Sequence, residues 1–168
     1  MLESDRLVII PLNHRQLLLY VQCDNTLEAE LQLPNSNRKI PTELQDALNE
    51  TIIPNVANQN KNYLFNTLWT AILKDEKKII GDICIIGEPN ELGEIEIGYG
   101  IYDDFQGRGL MSEMVASFID WAKTNRGIKA IVASTNCDNI ASIRVLEKNG
   151  FIQITETINE IKWKLFVW

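Results

Sequence analysis

Apolar and polar residues alternate in a way that predicts a strand passing directly into a helix between residues 93 and 123. Apolar side chains occupy every second position from Ile95 to Ile101, the period of two that a pleated strand requires. From Leu110 to Ala122 they recur at intervals of three and four, which is typical of a helix with one buried face. A short turn with the sequence DDFQGRG, residues 103–109, joins the two elements.

The same periodicities divide the rest of the chain into further strands and helices of one mixed α/β domain spanning residues 1–168. The other predicted strands are 6–12, 63–73, 79–86, 128–134, 151–157 and 161–168. The other predicted helices are 14–23, 26–33, one that begins at Pro41 and is ended by Pro54, and one that Asp138 caps and Gly150 ends. Because the three strands before the central helix have short connections, they are expected to be antiparallel neighbours.

The turn before the central helix has the composition of an anion site. The N–H groups of the first helical turn have no intrahelical partner, and the helix dipole makes that end electropositive. Gly107 and Gly109 leave the backbone accessible, and Arg108 adds a positive charge, which suits a phosphate group. The alternative is that the glycines only end the strand and that Arg108 is solvated. The strand-turn-helix context favours the anion site.

The polar face of the central strand carries Glu96, Gly98 and Gly100. Glycine inside a strand often marks a close approach by a ligand or another backbone, and a carboxylate beside it is a candidate general base. The alternative is an ordinary solvated face of a half-buried strand. The residues alone support both interpretations equally.

Composition narrows the class of partner. The chain of 168 residues has 16 basic and 23 acidic side chains, a net charge of −7, which argues against nucleic acid and favours a cationic or neutral partner. Its cysteines, Cys23, Cys84 and Cys137, form no pair with the spacing of a zinc site or a disulfide framework, so no metal is expected. Without a signal sequence or an apolar run of about 20 residues, no membrane association is expected and a cytoplasmic location follows.

Several segments resemble the GNAT acetyltransferases. The sequence EIGY at 96–99, followed by QGRGLMSE at 106–113, is similar to the acetyl-CoA motif of that family, especially in the branch of ribosomal-protein N-acetyltransferases. ESDRL at 3–7, NIAS at 139–142 and VLEKNGF at 145–151 agree with the same branch. Met111 replaces the last small residue of the family pattern, and Asp103 stands where members of this branch often have a proline. Neither change removes a backbone donor.

The resemblance implies a GNAT-like fold: a mostly antiparallel central sheet, flanked by helices, in which two strands splay apart and admit CoA. It also implies acetyl-CoA as the co-substrate. The residues expected to bind it are Ile101, Tyr102, Gln106, Gly107, Arg108, Gly109, Leu110, Met111, Ser112 and Asn139.

The reaction implied is direct transfer of an acetyl group to a primary amine. Glu96 is expected to remove a proton, directly or through water, and backbone N–H groups of residues 99–102 to stabilise the oxyanion. Ser142 is expected to lie near the CoA thiol, although it could be a solvated helical serine, just as Asn139 could be part of a capping turn. The only histidine, His14, is expected at the surface near a helix start.

The acceptor amine is left open among a protein N-terminus, a polyamine and a small amine or antibiotic, and the protein is expected to act as a monomer or homodimer. An alternative of another class is a regulatory protein that binds acetyl-CoA without catalysis. A dinucleotide-binding enzyme is disfavoured because GYG at 98–100 lacks the third glycine of that fingerprint.

Overall fold

The computed structural model describes residues 1–168 as one eight-stranded sheet with helices on both faces. The sheet order is β1-β2-β3-β4-β5-β6-β8-β7. The strands are β1 (Leu2–Glu3), β2 (Leu7–Pro11), β3 (Leu68–Leu73), β4 (Lys78–Ile85), β5 (Glu94–Ile101), β6 (Ala130–Asn136), β7 (Ile152–Glu156) and β8 (Glu160–Phe166). The helices are α1 (His14–Gln22), α2 (Thr26–Glu30), α3 (Thr42–Ala47), α4 (Ile53–Ala57), α5 (Leu110–Thr124) and α6 (Ile140–Lys148).

The mixed, mostly antiparallel sheet predicted from the sequence is confirmed. Every neighbouring pair of strands is antiparallel except β5 and β6, which run parallel. The parallel pair arises because α5 carries the chain from the end of β5 back to the start of β6, the crossover that parallel strands require.

Two apolar cores lie on opposite faces of the sheet. On one face the apolar stripe of α5 packs together with Leu146 of α6 in a cluster of 26 buried residues. On the other face Leu17 and Tyr20 of α1 join Leu27 of α2 in a second cluster of 8. The strand β5 runs between these layers, so its two faces meet different surroundings.

The parallel pair separates toward its C-terminal ends. Residues Glu94 to Ile97 of β5 pair with Ala130 to Ala133 of β6, and the pairing stops there. Beyond that point β5 stays bonded to β4 as far as Ile101, while β6 stays bonded to β8 as far as Asn136. Residues 98–101 and 134–136 therefore flank a gap in the sheet, which is the splayed pair that the family resemblance implies.

Three predicted helix boundaries are wrong. The second helix ends at Glu30 rather than at residue 33, because Gln32 has a left-handed φ of +56°. Pro54 does not end the third helix: a π-helical turn, Leu48–Ile52, follows α3, and α4 continues through Pro54 to Ala57. Proline is tolerated there because the π-helical turn just before it has already shifted the hydrogen-bond register, the Ile53 N–H donating to the Leu48 carbonyl, so that a residue without an N–H fits in the continuous helix. The cap of α6 is Asn139 rather than Asp138, since the Asn139 side chain accepts a hydrogen bond from the Ser142 N–H at 3.1 Å.

The strand predicted from residue 63 begins later. Residues Tyr63–Phe65 form a 3₁₀ turn, and β3 starts at Leu68. The side chain of Asn62 accepts a hydrogen bond from the Leu64 N–H at 3.1 Å and so favours the turn over an extended backbone.

Candidate active site

The turn before α5 exposes an uninterrupted row of backbone donors. Gly107 and Gly109 have φ values of +71° and +73°, in the left-handed region that favours glycine. No side chain caps α5, and the N–H groups of residues 107–112 have no acceptor within the protein. These six donors surround the positive end of a helix of 15 residues. The arrangement suits a phosphate or pyrophosphate group.

Of the residues predicted to bind CoA, those at 106–112 lie at this turn, Ile101 and Tyr102 lie at the end of β5, and Asn139 caps α6. The side chains at the turn have different roles. Gln106 donates from Nε2 to Asp103 Oδ1 at 3.0 Å, which stabilises the turn. Leu110 and Met111 are buried in the core, so only their backbones face the turn. The Ser112 carbonyl accepts a hydrogen bond from Asn149 Nδ2 at 3.2 Å, which ties the start of α5 to the end of α6.

Arg108 is held by a partner on a neighbouring turn. Its Nη1 lies 3.0 Å from Glu76 Oε1, in the connection between β3 and β4. The hydrogen bond from Arg108 lowers the pKa of Glu76 below its ordinary value. The positive charge of Arg108 is therefore partly balanced and anchors the turn from outside.

Arg6 supplies a second guanidinium at the same place, which sequence reasoning did not identify. Its Nη1 donates to the Arg108 carbonyl at 2.9 Å, and its Nε and Nη2 each lie 2.7 Å from Glu113 Oε2. Glu113 also accepts from the Ser4 hydroxyl at 2.7 Å. Although Arg6 and Glu113 each occur in segments that carry the family resemblance, only the fold shows that they bind one another.

The pKa of Glu113 reflects this network. Burial acts to raise the pKa of Glu113, but hydrogen bonds from Ser4 and Arg6 outweigh it and lower the pKa below the ordinary value. Because the folded-state pKa is depressed, the stabilisation is fully present above the pKa of the unfolded chain, about 4.3. It is lost as the pH falls through the lower folded-state value.

Arg6→Ala is expected to lower the free energy of unfolding at pH 7 by about 1–2 kcal/mol, after discounting for the partial exposure of the pair. The difference from the parent protein should begin to shrink as the pH falls below the pKa of an unpaired glutamate, about 4.3, and continue to shrink as Glu113 of the parent is protonated at its lower pKa. Urea unfolding at pH 7 and at pH 3.5 measures both effects. Arg15→Ala is the control, because Arg15 forms an ion pair with Glu30 but is 80% exposed. Equal losses in the two variants would contradict the role given to Arg6.

The gap between β5 and β6 presents free backbone groups of β5. The Tyr102 N–H donates to the Ile80 carbonyl of β4 at 2.9 Å, and hydrogen-bonded and non-bonded positions alternate along an antiparallel pair. The N–H and C=O groups of Tyr99 and Ile101 therefore point away from β4, toward the gap. These groups lie where the sequence predicts oxyanion donors.

Ser142 faces the gap from α6. Its Oγ lies 2.8 Å from the Tyr99 hydroxyl, and the Tyr99 hydroxyl also donates to the Ser142 carbonyl at 3.2 Å. Burial raises the pKa of Tyr99 to about 12. Sequence reasoning treated Tyr99 only as an apolar position of the strand, yet its hydroxyl is the partner of Ser142. Asn139 caps the same helical turn through Ser142.

The opposite face of β5 borders a cavity of about 320 Å³. Two glycines of β5 form part of its floor, and a Cβ built on Gly100 would meet no atom within 4 Å. Aspartate and glutamate are the only charged residue types in its lining. The lining residues are Pro41, Glu43, Leu44, Leu68, Asp82, Cys84, Gly98, Tyr99, Gly100, Ile101 and Tyr102.

Glu96 lies just outside this cavity. It shares the face of β5 with Gly98 and Gly100 but pairs with Val132 of β6, where the two strands are still joined. Its side chain is half-buried and makes no hydrogen bond. Glu96 therefore lies at the closed end of the gap, on the face of β5 that borders the cavity.

Asp82 is a buried carboxylate in the cavity wall that the sequence did not reveal. Its Oδ2 accepts hydrogen bonds from Tyr20 at 2.5 Å and from Tyr102 at 3.2 Å, and its Oδ1 accepts one from Thr70. Burial raises the pKa of Asp82 above its ordinary value despite these hydrogen bonds. The side chain of Tyr102 thus belongs to the cavity, and its backbone N–H is bonded to the Ile80 carbonyl of β4.

Two other polar residues have no place in a nucleophilic mechanism. Burial raises the pKa of the Cys84 thiol to about 11, so the thiol stays protonated at neutral pH. His14 is exposed at the first position of α1, as the sequence predicts. No group of three or more His, Cys, Asp or Glu side chains is placed to hold a metal ion.

Comparison with known proteins agrees with this geometry. Residues 6–152 match the acetyltransferase (GNAT) domain family. An uncharacterised N-acetyltransferase of Bacillus subtilis (strain 168), YjdG, is 34% identical over 84 residues, which are 50% of this chain and 50% of that protein. The match therefore spans about half the length of this curated relative.

Solved structures share the fold over nearly the whole chain. A ribosomal-protein-S5-alanine acetyltransferase from Vibrio fischeri superposes with a TM-score of 0.67 at 17% identity, covering 98% of this chain and 94% of that one. A spermidine N-acetyltransferase from Vibrio cholerae, solved with CoA and spermine, gives a TM-score of 0.67 at 13% identity, covering 97% and 96%.

The chain belongs to the GNAT acetyltransferase family. The family match includes the turn before α5, the gap beside β5 and the cavity on its other face. None of the helices has the length and apolar character needed to cross a membrane.

Proposed function

We propose that the protein transfers an acetyl group from acetyl-CoA to a primary amine by direct attack. The main support for the proposal is the position of β5, which lies between a candidate site for CoA and a candidate cavity for the acceptor. Its free backbone groups and the donors before α5 suit the thioester and pyrophosphate of CoA, and its glycine face opens into a cavity whose charged lining is acidic. Both substrates would then reach the same short stretch of strand.

The co-substrate would bind along the gap. The N–H groups of residues 107–112 would hold the pyrophosphate, with Gln106, Arg108 and Arg6 fixing the turn around them. The pantetheine would extend toward residues 98–101, past Asn139 at the start of α6. Membership of the family and a CoA-bound spermidine N-acetyltransferase of the same fold support this placement.

The chemistry follows from the surroundings of the gap. A backbone N–H of Tyr99 or Ile101 would stabilise the oxyanion of the tetrahedral intermediate. Glu96, acting through water, would take the proton that the attacking nitrogen loses after attack. Ser142 would pass its proton to the departing thiolate and take one from the Tyr99 hydroxyl, to which it is hydrogen-bonded, and Tyr99 would regain a proton from solvent. The raised pKa of Cys84 favours direct transfer over an acyl-cysteine intermediate.

The acceptor would be a small or slender cation. A cavity of about 320 Å³ lies at the lower end of the range for small-molecule sites, roughly 300–1,000 Å³. Its acidic lining attracts an ammonium group. A protein N-terminus and a polyamine both meet these requirements. Of the two structural neighbours, one is named a ribosomal-protein-S5-alanine acetyltransferase and the other a spermidine N-acetyltransferase.

Release of CoA thiol tests the proposal directly. The protein is incubated with acetyl-CoA and, separately, an alanine-initiated peptide, a serine-initiated peptide, spermidine and kanamycin, and the acetylated product is identified by mass spectrometry. We expect thiol release that depends on at least one amine. Acetyl-CoA binding without amine-dependent release for any of them would favour the binding-protein alternative.

A further inference from the structure

The hydroxyl of Tyr102 and the carboxylate of Asp82 both line the acceptor cavity, and neither has a role in the acetyl transfer described so far. Asp82 is directly opposite Gly100 in the β4–β5 register, in an antiparallel pair whose Cα atoms are about 5 Å apart. Glu96 is four residues from Gly100 along β5, or about 13 Å. Asp82 is therefore closer than Glu96 to the end of β5, where the backbone groups of Ile101 are free.

The hydrogen bonds give the Tyr102 hydroxyl a defined direction. Tyr102 Oη lies 2.8 Å from the Tyr20 hydroxyl and 3.2 Å from Asp82 Oδ2, and Tyr20 itself lies 2.5 Å from Asp82 Oδ2. With Asp82 ionised, Tyr20 donates to the carboxylate, and Tyr102 donates inward to Tyr20 or Asp82. Arg38 also interacts with the Tyr102 oxygen. A phenolic oxygen has two lone pairs, so one is left to accept a hydrogen bond from a donor in the cavity.

We propose that Tyr102 and Asp82 bind the ammonium group of the acceptor and remove its first proton, an inference that rests on the proposed acetyl transfer. An N–H bond of the ammonium breaks as its proton passes to Tyr102 Oη, and the original proton of Tyr102 passes to Asp82 Oδ2. The products are a neutral amine, which can attack the thioester, and a protonated Asp82. The second proton leaves the nitrogen after attack, toward Glu96, and Asp82 later returns its proton through Tyr102 to solvent.

The electrostatic environment of Asp82 suits a proton acceptor. Burial raises the pKa of Asp82, which makes it a stronger base than an exposed aspartate while the hydroxyl donors stabilise its ionised form. Arg38, itself paired with Glu28, also favours the ionised form. The titratable and charged groups that face Asp82 or the cavity are Tyr20 of α1, Arg38 before α3, Glu43 of α3, Cys84 of β4 and Tyr102 after β5.

The test compares two amines of different basicity in the full-length protein with acetyl-CoA. An alanine-initiated peptide amide without lysine carries an α-amine with a pKa of about 8, whereas the amines of spermidine resemble a lysine with a pKa of about 10.4. Values of kcat/KM are measured for both at pH 7 and pH 9 with Tyr102→Phe, Asp82→Asn and the parent. Tyr63→Phe is the matched control, because Tyr63 is exposed and lies outside the cavity lining.

We expect Tyr102→Phe to lower kcat/KM at pH 7 by about 10²-fold for both amines. At pH 9 the peptide is already neutral in solution, so its defect should largely disappear, while the defect for spermidine should persist. Asp82→Asn should show the same pattern. Since a purely structural loss would not follow the basicity of the amine, recovery for the peptide alone identifies a proton acceptor.

A rate for Tyr102→Phe equal to that of Tyr63→Phe at pH 7, or equal defects for the two amines at pH 9, would overturn the assignment. Turnover of neither amine by the parent would also overturn it. Thermal stabilisation of the same samples by acetyl-CoA reports the co-substrate site separately, so that failure of the acceptor assignment is distinguished from failure of the proposed function. Tyr102→Phe removes one oxygen and keeps the ring, so it decides the question even where Asp82→Asn is unstable.

Discussion

Gly109→Val is expected to weaken CoA binding at least about 10²-fold. A valine at this position would place a branched side chain among the free N–H groups of residues 107–112, where the pyrophosphate approaches the backbone. Losing two hydrogen bonds to a charged group, at about 1.5–3 kcal/mol each, corresponds to at least that change in affinity. Isothermal titration with CoA measures the effect.

The substitution also strains the backbone, because a β-branched residue at a φ of +73° is unfavourable. Gly87→Val is the matched control: Gly87 has a φ of +88°, and an added Cβ there would meet no atom within 4 Å. The two variants should lose similar free energies of unfolding, of the order of 1–2 kcal/mol, while only Gly109→Val loses CoA. Parent-like CoA affinity in Gly109→Val would place the anion site elsewhere.

Glu96→Gln is expected to reduce turnover at neutral pH by about 10²–10⁴-fold and to leave CoA binding unchanged. The amide keeps the size of the side chain but cannot accept the proton that the nitrogen loses after attack. Since that proton is lost at the same stage for every amine, the defect should be alike for the alanine-initiated peptide and spermidine. Partial recovery is expected in alkaline buffer, where hydroxide replaces the carboxylate.

Glu91→Gln serves as the control for Glu96→Gln. Glu91 is an exposed carboxylate in the turn before β5, so its replacement changes the net charge equally. We expect parent-like rates for this variant. An unchanged rate in Glu96→Gln would show that the residue is structural, and a defect that follows the basicity of the amine would transfer the first deprotonation from Tyr102 to Glu96.

Local sequence patterns were sufficient to predict the central elements of the fold, the strand β5 and the helix α5. The alternation in β5 and the apolar stripe of α5 depend on one buried face each. The structure buries the whole predicted stripe of α5 and, in β5, Ile95 and Ile97, while Tyr99 and Ile101 are half-buried. The predicted anion site is likewise a local feature, because Gly107, Gly109 and the first turn of α5 are contiguous. The structure shows in addition that no group within the protein accepts a hydrogen bond from these N–H groups.

The acceptor side depends on contacts that no local pattern contains. Tyr20 and Asp82 are separated by 62 residues and Arg6 and Glu113 by 107, so each pair forms only when the sheet is assembled. Asp82 in particular lies between Gly81 and Ile83 in a strand that is otherwise apolar after Lys78, where periodicity gives no sign of its hydroxyl partners. Pro54 misled the prediction because its effect depends on its position within a helical turn.

Thermal unfolding with acetyl-CoA, CoA and NAD decides whether the free donors before α5 and the gap beside β5 form a CoA site. A ligand that binds only the folded state, at about 100 times its dissociation constant, adds about 2.7 kcal/mol. For a chain of this length that corresponds to a rise in Tm of about 5–10 °C. We predict such a rise with acetyl-CoA and CoA and none with NAD. A rise with NAD and none with either form of CoA would contradict the account.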